Sequence, residues 1–126
     1  MHTPAISACL GVGDLDATVA YYEKLGFTAQ PAPANACIRV LTYDGEFAFM
    51  LQQQKLLGIW LPPLKDTPTG CCGMHYLAVD DFDAWVAQHA SKVDVVKGPV
   101  DAGGHRALYF RDLNGYVIGV TQKTRH

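Results

Sequence analysis

Hydrophobic positions along the chain change period twice, in the same order each time. Ile6, Ala8, Leu10 and Val12 alternate with Ser7, Cys9 and Gly11, the two-residue period of a strand with one covered face. From Leu15 the period lengthens. Leu15, Val19, Tyr22 and Leu25 form one stripe of a helix that Asp14 is placed to cap and Gly26 to end. Alternating runs follow at 36–43 and 46–52, with the hairpin dipeptide Asp44-Gly45 between them. The second half begins the cycle again. Leu77 and Val79 close a strand, Asp81 stands at an N-cap position, and Phe82, Trp85, Val86 and His89 make the next helical stripe. Strand-like stretches then fall at 93–96, 105–111 and 116–122, with Asn114-Gly115 as a turn.

The repetition reaches individual residues. Leu10-Gly11-Val12-Gly13-Asp14-Leu15-Asp16-Ala17 returns at a constant offset of 67 as Leu77-Ala78-Val79-Asp80-Asp81-Phe82-Asp83-Ala84, with five of eight positions identical. Two copies of one supersecondary unit are therefore expected: strand, helix, then about three strands. Module one spans 4–52 and module two 72–122, within a single domain of 1–126. The connection, 53–70, holds Pro62, Pro63 and Pro68, which argue against a helix or a central strand. Trp60 sits just ahead of these prolines. It is expected to pack on the domain, on a second subunit or on a ligand, unless the segment is a plain linker.

Composition narrows the class. The 126 residues carry a formal charge of −2, too near neutral for a nucleic-acid or anionic-membrane partner. With 49% hydrophobic and 17% charged residues the chain is not disordered, and no apolar run reaches the roughly eighteen residues of a membrane span. Nor does the N-terminus resemble a signal peptide, so a cytoplasmic protein is expected. The four cysteines fit that compartment as reduced thiols: Cys9 and Cys37 lie in apolar segments, Cys71 and Cys72 are adjacent, and no CxxC is present. A soft-metal site at Cys71, Cys72 and His75 is an alternative, without a second ligand cluster to complete it.

The stretch GVGDLDATVAYYEKLGF, from Gly11 to Phe27, resembles the opening unit of the vicinal oxygen chelate superfamily. That group includes glyoxalase I, extradiol dioxygenases and bleomycin-resistance proteins. Residues from Met74 to Val120 resemble its second unit, most clearly in FRDLNGYVI, from Phe110 to Ile118, where Leu113 stands in the usual proline position. The resemblance implies an α+β fold of two paired βαβββ modules in a curved, barrel-like mixed sheet, with a cleft and outer helices, in a homodimer.

Strand parity then selects the side chains expected in the cleft. They are Ser7, Cys9 and Gly11; Ala48, Met50 and Gln52; Met74, Tyr76 and Ala78; and Val117, Gly119 and Thr121. Metal-dependent members of the superfamily chelate through four strand positions, which fall here on Ser7, Met50, Met74 and Gly119. Two thioethers, a hydroxyl and a glycine do not make a shell for a hard divalent ion. A one-residue slip of the last strand brings in only Ile118 and Val120, and His75 would need a bulge to take part. No metal and no cofactor are expected.

The resemblance thus points to the metal-free, bleomycin-resistance-like branch, which sequesters a small molecule unaltered. The ligand expected is aromatic or hydrophobic, a cationic drug among the candidates. Its contacts would be Ser7, Cys9, Met50, Trp60, Met74, Tyr76 and Gly119. The alternative is a lyase, isomerase or glyoxalase-like enzyme working without metal or with an atypical one. Its acid–base candidates are His75, His89, His105 and Tyr109; His105, in a loop expected at the cleft mouth, and Tyr109 are the two carried as catalytic candidates. His89 lies on a helical stripe and reads as a buried structural histidine; Gly103-Gly104-His105-Arg106 reads as a hairpin entry or an anion-binding loop.

Overall fold

The computed structural model describes residues 4–71 and 73–123. The chain divides between Thr69 and Gly70 into two compact units. In the first, β1 (Cys9–Val12) leads into α1 (Leu15–Lys24), followed by β2 (Phe27–Ala29), β3 (Ile38–Tyr43) and β4 (Glu46–Gln53). The sheet order is β1-β4-β3-β2, with β1 parallel to β4 and the other pairs antiparallel. The second unit contains β5 (Met74–Val79), α3 (Phe82–His89), β6 (Asp94–Ala102), β7 (His105–Arg111) and β8 (Val117–Gln122). Its order, β5-β8-β7-β6, repeats the first, and β5 is parallel to β8. Each unit is one βαβββ module, as the 67-residue repeat implies.

The repeated sequence makes repeated contacts. Asp14 Oδ1 accepts from the Ala17 amide at 3.0 Å, and Asp81 Oδ1 accepts from Ala84 at the same distance, so each helix opens on an aspartate cap. The helical stripes are buried against one face of each sheet. Tyr22 is 0% exposed and meets Phe27 and Phe49 edge to face at 5.1 Å. In the second unit Trp85 stacks on Phe110 at 5.7 Å, above a row that includes Leu108, Ile118 and Val120. The Asp44-Gly45 turn is the predicted hairpin, both residues having positive φ (51° and 78°), the backbone a two-residue loop of that twist requires.

Three expectations need correction. The connection contains a helix, α2 (Gln54–Trp60), and then a 3-10 turn at Pro62–Leu64. The prolines begin only at 62, so they end this helix without interrupting it. It packs against β1 and β4, and Gln54 Nε2 donates to the Leu64 carbonyl at 3.0 Å. The second departure is in β1, which starts at Cys9: Ile6 is 89% exposed and covers nothing. Ser7 precedes the strand and is half-buried. The third is β6, which runs well past 96 and includes Pro99. An edge strand tolerates the missing amide, and two register shifts flank this stretch.

Candidate functional site

The face of each sheet turned away from its helix carries the side chains that could meet a ligand. On the second sheet the register decides which ones. Tyr76 pairs with Gly119, which pairs with Tyr109; Ala78 pairs with Thr121, which pairs with Ala107. Cross-strand partners share a face, so these six residues form two adjacent rows. The opposite face takes Ile118, Val120, Leu108 and Phe110, all buried. No register shift interrupts β5 and β8, and His75 stands opposite Ile118 on the helix-covered side. The bulge that would turn His75 outward is not formed.

Gly119 is the floor of the site. A Cβ there would lie 2.8 Å from Met74 Cε, 2.9 Å from Tyr76 Cε1 and 2.9 Å from Tyr109 Cε1. The three side chains thus fold over a strip of backbone that any larger residue would block. The tyrosine rings meet edge to face at 6.2 Å, and their hydroxyls are 3.4 Å apart. The Tyr109 hydroxyl beside it, with a smaller contribution from desolvation, holds the Tyr76 phenol above its ordinary range. Tyr76 is nonetheless 64% exposed. An open pocket of about 390 Å³ lies beside the pair, with His105, Thr121 and Gln122 on its wall and Ala78 and Ala107 at its base.

Gln122 is tied into the fold. Its Oε1 accepts from the Phe82 amide at 2.9 Å, and its Nε2 donates to the Asp80 carbonyl at 2.6 Å. It thereby joins β8 to the start of α3. His105 follows the Gly103-Gly104 turn, across the ladder from Ala102.

Of the residues expected from sequence, Met74, Tyr76 and Gly119 come together, with Tyr109 over the same glycine and His105 on the same pocket wall. In the first unit Cys9 pairs with Met50, and Cys9 Sγ lies 3.9 Å from Gln52 Oε1. Desolvation pushes the Cys9 thiol up, which keeps it protonated and weakly nucleophilic at neutral pH. Trp60, at the end of α2, is 78% exposed, and its neighbour Ile59 is also exposed, so Trp60 does not pack on its own domain. The pairing of Tyr109 with Tyr76 went unseen in the sequence, although alternation in β7 carries the signal. His105, Ala107 and Tyr109 fall on one parity, with Leu108 and Phe110 on the other.

The donors do not fit a hard divalent ion. Ser7 offers a hydroxyl and Met50 and Met74 thioethers, Gly119 offers no donor, and the space above it is taken by carbon. Among the described residues no three His, Cys, Asp or Glu side chains gather as a ligand set. Cys72, needed for the soft-metal alternative with Cys71 and His75, lies outside the described residues.

Two βαβββ modules, each with one sheet face covered by its helix, define the class of protein. The description Glyoxalase/Bleomycin resistance protein/Dioxygenase superfamily matches residues 5–120, and the chain belongs to that superfamily. Solved structures share the fold over almost the whole chain. A protein of unknown function from Agrobacterium tumefaciens superposes with a TM-score of 0.77 at 15% identity, over 98% of this chain and 97% of that one. One from the mobile metagenome of V. pseudocholerae gives 0.72 at 23%, over 99% and 98%. A bleomycin-binding protein in complex with bleomycin gives 0.67 at 20%, over 97% and 100%. No curated protein matches the chain in sequence. Among the described residues no helix is long and apolar enough to cross a membrane.

Proposed function

We propose that this protein binds a small aromatic or hydrophobic molecule without a metal ion and releases it unchanged. The observation that carries this reading is the convergence of Met74, Tyr76 and Tyr109 over Gly119 beside an open pocket. Two aromatic edges and a thioether provide a surface that conforms to a flat ligand. One relative of the same fold is a structure complexed with bleomycin, which supports binding as a use of this fold. Cys9 and Met50, with Ser7 at the strand entry, form the corresponding contact surface of the first module.

We place Trp60 at a contact with a second copy of the chain or with the ligand. Leu56, Ile59, Leu61 and Leu64 are exposed around it, a patch that association would cover. A homodimer in the reducing cytosol is the state we propose, and the free thiols of Cys9, Cys37 and Cys71 suit that compartment. Replacing Ile59 and Trp60 together by Glu should leave a monomer in sedimentation velocity, and a monomeric parent protein would dismiss the dimer.

The direct test is a titration with 2-naphthoate and related flat compounds, followed by recovery of the probe. Saturable one-to-one binding with the compound returned intact supports sequestration. A metal-independent enzyme is the second reading, favoured by His105 and Tyr109 lining one pocket. It requires turnover that His105→Ala removes while binding persists.

A further inference from the structure

The described polar groups on the pocket wall are hydroxyls, an amide and an imidazole, each able to donate a hydrogen bond. Among the described residues lining it, none is a carboxylate: the polar members are Tyr76, Tyr109, Thr121, His105 and Gln122. Gln122 is spent on the backbone, its Oε1 on the Phe82 amide and its Nε2 on main-chain carbonyls. The tyrosines hold two hydroxyl protons between them. A hydrogen bond across their 3.4 Å gap uses one, so the other remains for an acceptor in the pocket, whichever phenol donates. Thr121 adds a hydroxyl, and His105 adds a ring N–H. Every uncommitted polar group there can donate.

Nearby charge has the same bias. Lys97 is the cross-strand partner of Tyr109 at the outer edge of the sheet, and Arg111 lies one row away, opposite Val117. The nearest carboxylate along that row is Asp94, which is 3.8 Å from Arg111 and so is already offset. Arg111 and Asp94 offset each other, which leaves Lys97, with no ion pair among the described residues, as the uncompensated charge beside Tyr109. A ligand oxygen carrying negative charge would meet several donors, with the Lys97 ammonium on the adjacent edge strand.

Resting on the binding reading above, we infer that the ligand of this pocket is a planar aromatic acid, its carboxylate directed to the Tyr76–Tyr109–Thr121 donors and its ring lying over Ala78 and Ala107. This departs from the expectation of a cationic drug.

The experiment compares three probes of one shape: 2-naphthoate, neutral 2-naphthamide and cationic 2-naphthylmethylammonium. Binding is read by amide NMR shifts at Gly119 and Tyr109 in the full chain. Naphthoate should bind about tenfold more tightly than the other two, an advantage that shrinks with added salt. Lys97→Gln should remove part of that advantage while leaving naphthamide binding unchanged, and Thr121→Val should weaken naphthoate more than naphthamide. If the amide or the ammonium compound binds as tightly as the acid, the acid preference is refuted and the binding reading stands. If no probe shifts Gly119, both readings fall together.

Discussion

Gly119→Ala separates a binding site from a piece of core. The new methyl would sit 2.8–2.9 Å from three side-chain carbons, where ordinary contact begins near 3.4 Å. Each neighbour must therefore retreat by roughly half an ångström or more. They have room to do so: Met74 and Tyr76 are both exposed, so their displacement is into solvent. The φ of Gly119 is not positive, so alanine brings no backbone strain. Loss of the edge-to-face tyrosine contact costs about 0.5–1.5 kcal/mol, and alanine in a strand returns about 0.5–1 kcal/mol of backbone entropy. The net effect on stability should lie within about 1 kcal/mol, which is a shift of no more than about 4 °C in Tm for a domain of this size. Binding should respond differently. Raising the floor by a methyl group costs a fitted ligand about 1–3 kcal/mol, a five- to 150-fold loss of affinity. Calorimetric titration with 2-naphthoate alongside a thermal melt measures both. An unchanged affinity, or a collapse of Tm by more than about 15 °C, would refute the assignment of these three side chains to a ligand surface.

Other consequences follow from the packing. Phe110 is 0% exposed under the Trp85 ring, so Phe110→Ala should cost about 3–5 kcal/mol in urea denaturation. Asp14→Ala and Asp81→Ala each remove one amide cap and should each cost about 1 kcal/mol by the same assay. His89 is buried against Trp85, and its Nδ1 has no hydrogen-bond partner among the described residues. Desolvation, and secondarily the Lys92 charge, holds its pKa below the ordinary histidine value. The unfolded chain therefore binds the proton more readily. Stability should be complete above about pH 6.5, fall as pH drops through that value, and level off from this cause below the folded pKa. His89→Leu should flatten that part of the stability curve in equilibrium melts.

The sequence alone determined the two modules and which face of each helix and strand is covered. An offset repeat with two aspartate caps specifies where each helix begins, and buried stripes such as Leu15, Val19, Tyr22 and Leu25 specify which face is covered. Two-residue alternation likewise put Tyr76 and Gly119 on one face before any fold was in view, because parity is a local property of the strand. Tertiary structure decided what local rules do not reach. The convergence of Met74, Tyr76 and Tyr109 depends on cross-strand register between segments more than thirty residues apart. Helix α2 was concealed by prolines that in fact lie beyond its end, and its formation rests on packing against β1 and β4. Trp60 could be singled out in the sequence, but only the fold left it uncovered. Local periodicity says which side of an element is apolar; which distant side chains meet on the other side is set by strand pairing.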